Sequence, residues 1–201
     1  METLEFEKKI LLIGDGSVGK TSLVRRFVID KFDDKYITTI GTKTSRKPMD
    51  FKFPDEDMHI KIQLDIWDIL GQEGMERAHR MYFKGAEAVI IVCDGTRRPT
   101  FDSLARWGKE VYDLCGAIPG TLAINKVDLR AEFQVTDAEA QKVSEQMNLK
   151  LFPTSAKTGE NVEAMFQQIG QYLCGVIRQN YAPGKAPPAV NAPKKKGRFG
   201  R

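Results

Sequence analysis

The chain has 201 residues, 41% hydrophobic and 9% aromatic, enough for one sizeable core and too few for two full domains. Its net charge of +4 is local: from Tyr181 onward there are six basic residues and no acidic one, leaving 25 basic against 27 acidic, net −2, in residues 1–180, which argues against a nucleic-acid footprint there. Three scattered cysteines exclude a disulfide framework or zinc site, His59 and His79 match no metal spacing, and neither the acidic start METLEFEKK nor the longest apolar run, residues 88–93, suits a signal peptide or membrane span, so a soluble cytoplasmic chain is expected.

Ile10, Leu11, Leu12 and Ile13 form a continuous apolar run that predicts a strand buried on both faces. Gly14 ends it, and after Thr21 the apolar residues Leu23, Val24, Phe27 and Val28 recur at helical spacing. Between strand and helix, GDGSVGKT reads GxxxxGK[ST], a loop whose backbone N–H groups cradle phosphate at the positive end of a helix. Gly14, Asp15, Gly16, Ser17, Val18, Gly19, Lys20, Thr21 and Ser22 are the candidate contacts. Lys20 would add a point charge and Thr21 an oxygen for Mg2+. The motif says phosphate and does not say which nucleotide.

The polar stretch DKFDDKYITTIGTKTSRKP, residues 30–48, reads as a loop. Phe51 and Phe53 flank one lysine, PDED turns the chain, and Ile60, Ile62, Leu64 and Ile66 alternate with polar residues, predicting a hairpin. AVIIVC and TLAIN are short apolar runs, each followed by a helical pattern, the signature of strand-helix units in a parallel sheet. Thr136 and Glu139, after Val135, form a capping box opening a helix that ends near Met147. Val162, Met165, Phe166, Ile169, Leu173, Val176 and Ile177 define a last helix with one apolar stripe. An α/β domain over residues 1–180 is expected, with helices on both sheet faces, ligands at the carboxyl ends of the strands and a disordered Pro/Ala/Lys-rich basic tail at 181–201.

Three further strand ends carry chemistry. In DIWDILGQE, Asp68 ends a strand beside Gly71 and Gln72, placing a carboxylate for a magnesium water next to bare backbone and a water-orienting amide. In NKVD, residues 125–128, Asp128 can accept from guanine N1–H and the 2-amino group, donors adenine lacks, while the Lys126 stem would lie on the base face. In TSAK, residues 154–157, the Ala156 N–H could donate to guanine O6 and would oppose an adenine amino group.

Taken together, GDGSVGKTS, TTIG, WDxxGQE, NKVD and TSAK resemble the Ras superfamily of small GTPases, and YITTIG, TFDSL and TSAKTGENVEAMF resemble its Rab branch. The resemblance covers roughly residues 6–178 and implies a P-loop NTPase fold, a mostly parallel six-stranded sheet with one antiparallel edge strand. It implies that Asn125, Lys126, Asp128, Ser155, Ala156 and Lys157 serve the guanine, Phe32 packs on its edge and Tyr36 closes over the phosphates. Thr39 would reach Mg2+ with Thr21 and Asp68, and Gly16 is the position where a side chain would obstruct Gln72. Hydrolysis would rest on Gln72, Lys20 and Gly71, proceeding slowly, at about 10⁻⁴ to 10⁻³ per second where no arginine is supplied in cis. Effector, exchange-factor and activating proteins would bind through switch I, the loop after the first helix that carries Thr39, and switch II, Asp68 to about Lys84.

Three departures qualify the resemblance. Ile69 and Leu70 stand where the family usually has Thr-Ala, and their volume is expected to alter hydrolysis or exchange. The segment 41–68 is longer than usual and contains Pro48 and Pro54. The tail has no cysteine and Glu2 follows Met1, so an unanchored, non-prenylated and even prokaryotic or archaeal member is expected, with at most weak electrostatic membrane contact. Competing readings are a scaffold that holds GTP with little turnover, and a different P-loop enzyme, an ATPase or nucleotide kinase.

Overall fold

The computed structural model describes residues 2–32, 42–71 and 76–181. Among them, the apolar runs become a six-stranded sheet in the order β2-β3-β1-β4-β5-β6. β1 (Glu2–Ile13), β3 (Met58–Ile69), β4 (Ala88–Asp94), β5 (Gly120–Asn125) and β6 (Lys150–Thr154) pair in parallel, and β2 (Thr42–Phe53) pairs antiparallel with β3 at one edge. Parallel strands need crossovers, and the intervening helices cover both faces.

The period of two divides β1 between two cores. Ile10 and Leu12 join a cluster with Leu23, Val24 and Phe27 of α1 (Lys20–Ile29) and the stripe Val162, Met165, Phe166, Ile169, Leu173 and Ile177 of α6 (Val162–Asn180). Leu11 and Ile13 join the opposite cluster, with Phe83 of α2 (Glu76–Phe83), Trp107 and Val111 of α4 (Leu104–Cys115), and Ala140 of α5 (Asp137–Gln146). Short α3 (Arg98–Asp102) leads into α4. α5 opens with the expected reciprocal capping box of Thr136 and Glu139.

One expectation fails. Of the stretch 30–48, expected as loop, residues 33–41 lie outside the described residues, and residues 42–48 form the first part of β2. Their polar side chains carry no inward pattern because this edge strand is exposed there, and pairing to β3 rather than burial makes it a strand. Pro48 is tolerated because only one side of an edge strand needs its donors. The long hairpin turns through a 3₁₀ segment, Pro54–Glu56, and is fastened to α6: Arg178 Nε donates to Glu56 Oε2 at 2.9 Å and its guanidinium lies 4.3 Å from the Phe53 ring centroid.

Tyr181 packs edge-on against Phe6, at 5.1 Å between ring centroids, and residues 182–201 lie outside the described residues. Among the described residues no helix is long and apolar enough to cross a membrane. Because β1 lies between β3 and β4, the chain leaves it in both directions, and the carboxyl ends of β1, β3, β4, β5 and β6 meet along one edge.

Candidate nucleotide site

Gly14 leaves β1 at φ 138°, and a Cβ there would lie 2.0 Å from the Val92 carbonyl oxygen, so only glycine fits this crossing. The loop closes onto α1 at Gly19, φ 100°, with no side-chain cap and no acidic residue in the helix's first turn. The positive dipole end of the helix therefore suits an external anion. Lys20, 7% exposed, donates from Nζ to the carbonyls of Gly14 and Asp15, both at 2.7 Å. Burial lowers its pKa to about 8, against the opposing pull of Asp68 and Asp15. The Asp15 side chain turns to α4, accepting from Trp107 Nε1 at 2.8 Å and Arg106 Nη2 at 2.9 Å.

Asp68, 2% exposed near the end of β3, accepts the Thr21 hydroxyl on Oδ2, while its buried Oδ1 has no hydrogen-bond partner among the described residues. Burial pushes its pKa up, against the opposing effects of the Thr21 bond, Lys20 and Lys43. An orphaned carboxylate oxygen beside a hydroxyl suits a hard cation. No three His, Cys, Asp or Glu side chains cluster there among the described residues, and one carboxylate beside one hydroxyl suits magnesium, which commonly completes its shell with substrate oxygens and water. Gly71 presses on the loop: a Cβ there would lie 2.1 Å from the Gly14 oxygen, whereas one on Gly16 would meet the Gly71 oxygen at 3.7 Å, an ordinary contact. Ile69 is 1% exposed within the core cluster of Leu11, Ile13 and Phe83, so its added volume is accommodated in the core. Gln72, Tyr36 and Thr39 lie outside the described residues. Phe32 is partly buried against the first core.

The NKVD and TSAK turns are tied to the phosphate loop by Asn125. Its Nδ2 donates to the Val18 carbonyl at 2.8 Å, and its Oδ1 accepts from the Thr154 hydroxyl and the Ala156 N–H, both at 3.3 Å. The Ala156 N–H expected at a base oxygen thus makes a long bond within the protein. A Cβ on Gly19 would sit 2.3 Å from Asn125 Nδ2, which is why the loop needs glycine at that point too. Asp128 accepts from Ser155 Oγ at 2.6 Å, fixing the carboxylate that was read as the guanine reader. Arg26 of α1 donates to the carbonyls of Ala156 at 2.9 Å and Lys157 at 2.5 Å.

Three contributors escaped the sequence reading: Arg26, the Asp15 anchor on Trp107, and Asp94. Asp94 ends β4 fully buried, and Lys126 Nζ lies 2.6 Å from its Oδ2. A carboxylate closing an apolar strand is the signal that singled out Asp68, and AVIIVCD carries it too.

A model of the Ras family matches residues 9–174. The chain belongs to the Ras family. It is 36% identical to Ras-related protein Rab-13 of Canis lupus familiaris over 165 residues, 81% of this chain and 78% of that protein. It is also 36% identical to the GTP-binding protein ypt5 of Schizosaccharomyces pombe over 186 residues, 92% of this chain and 86% of that one. The fold is the family's P-loop NTPase fold, and this Rab-like member is a small GTPase, a molecular switch that binds GTP and GDP and hydrolyses GTP. Ras-family GTPases generally use Mg2+ with the nucleotide and act through regulators and effectors.

Proposed function

We propose that this Ras-family chain reads guanine with Asp128, Ser155, Ala156, Lys157, Asn125 and Lys126, holds the phosphates on residues 14–22 with Lys20, and carries Mg2+ between Thr21 and Asp68, joined by Thr39. The observation that carries this reading is Asn125, which binds the phosphate loop through Val18 and the TSAK turn through Ala156, fixing the distance between base and phosphate sites. Magnesium, when bound, neutralises charge on the transferring phosphate and its leaving group. Gln72 orients the attacking water, the Gly71 backbone meets the γ-phosphate and Lys20 balances developing charge. Phe32 and Tyr36 flank the base and phosphates. The segments around Thr39 and Gln72 report the nucleotide state to effector, exchange-factor and activating proteins, in the cytoplasm.

Burial of Ile69 in the core favours turnover over the scaffold reading, since it leaves Leu70 as the bulky departure nearer the loop. Single-turnover hydrolysis tests the proposal. The chain should cleave GTP slowly with Mg2+, leave ATP intact and lose cleavage in Gln72→Leu; tight GTP binding with no cleavage would leave the scaffold. Leu70→Ala should change hydrolysis or GDP release severalfold, and two unaltered rates would remove Leu70 from the mechanism.

A further inference from the structure

Arg97, between β4 and α3, takes part in none of the motifs above, yet its guanidinium joins two of them. Nε donates to Asp94 Oδ2 at 2.9 Å, and Nη2 donates to the carbonyl of Gly16, in the phosphate loop, at 2.8 Å. The arginine is held from behind. Its own N–H donates to the Asp94 carbonyl at 3.0 Å, and its carbonyl accepts from Thr100 N–H at 3.1 Å and the Thr100 hydroxyl at 2.9 Å. Asp94 is anchored in turn by Lys126 and by Thr96, whose N–H and hydroxyl reach Oδ1 at 3.0 and 2.7 Å. A two-pronged cation on a rigid turn thus grips one carbonyl of a glycine-rich loop.

That carbonyl belongs to the peptide unit joining Gly16 to Ser17. Described peptide bonds are all trans, so the Ser17 N–H points opposite to the Gly16 C=O and away from Arg97. Ser17 itself sits at φ 62°, a left-handed conformation that side-chain-bearing residues rarely adopt. Relaxation of Ser17 to negative φ would rotate this same peptide plane and take the carbonyl off Arg97. The arginine and the strained serine are therefore coupled through one rigid unit.

We propose that Arg97 is a positioning residue for the phosphate loop: by holding the Gly16 carbonyl it keeps Ser17 left-handed and its N–H aimed at the nucleotide phosphate. The proposal rests on the nucleotide-binding reading above. It makes Arg97 act through the loop, without touching substrate.

Release of the fluorescent nucleotide mant-GDP with Mg2+ tests it in the full chain. Arg97→Ala should speed release about tenfold, the worth of one charge-assisted hydrogen bond. Arg97→Lys, which keeps a cation by Asp94 and lacks the second prong, should also release faster. Thr96→Val removes the hydroxyl bond to Asp94, keeps the Thr96 N–H bond and spares the Gly16 contact, so release should stay within about threefold of wild type. The decisive arm repeats Arg97→Ala in a Ser17→Gly background, where the left-handed conformation needs no support. There the effect of Arg97→Ala should fall below about threefold. An equal effect in both backgrounds, release unchanged in both Arg97 variants, or Thr96→Val matching Arg97→Ala would overturn the proposal. Failure of the wild type to bind mant-GDP would instead overturn the nucleotide reading beneath it.

Discussion

The ends of β3 and β4 each bury an aspartate, and the two are treated in opposite ways. At Asp94 burial also disfavours the charge, but hydrogen bonds from Lys126, Thr96 and Arg97 outweigh it and hold the carboxyl below its ordinary range. At Asp68 the Thr21 hydroxyl and Lys20 do not outweigh burial, and the carboxyl is raised. The first is a structural knot that the chain satisfies from its own residues. The second keeps a charge that the described protein leaves under-compensated, which suits a carboxylate kept for a cation.

This contrast makes opposite predictions for the same substitution. Asp94→Asn takes the carboxylate from Lys126 and Arg97, which stay partly hydrated, and should lower unfolding free energy by about 2–3 kcal/mol, measured by urea denaturation. If Asp128 reads guanine as proposed, Asp128→Asn removes one acceptor for the base, and the preference for GDP over ADP in competition should fall about 10- to 100-fold. Asp68→Asn keeps shape and the Thr21 bond while removing a disfavoured charge, so without nucleotide it should leave stability unchanged or raise it by about 1 kcal/mol. A loss there as large as that of Asp94→Asn would erase the distinction.

The smallest effect concerns an exposed carboxylate, Glu139, held at about 2 by the Thr136 N–H, by Arg98 and by the Thr136 hydroxyl. Its folded pKa lies below its ordinary value, so its stabilising contribution is whole above about 4.5 and is lost as pH falls toward 2. The melting-temperature difference between wild type and Glu139→Gln should accordingly be present at about pH 6 and shrink toward zero near pH 2.

The phosphate loop, the strand ends and the capping box were legible because local chemistry decides them: glycines where the chain crosses backbone, apolar runs where both faces are buried, a Thr-x-x-Glu pair where a helix starts. The first half of β2 was not, since an exposed edge strand is made by its neighbour and leaves no periodicity. Arg97, Arg26 and the Trp107 anchor of Asp15 were hidden for another reason. Their partners lie 81, 130 and 92 positions away, and nothing local marks a surface arginine as the one that reaches them.

The central claim is that Asp68 carries its buried charge for magnesium and nucleotide. GDP release measured with Mg2+ and after chelation, in wild type and in Asp68→Asn, tests it most directly. Chelation should speed wild-type release about tenfold or more, while Asp68→Asn should release GDP quickly in both conditions with little response to the metal. An Asp68→Asn protein that kept the wild-type dependence on Mg2+ would contradict the account.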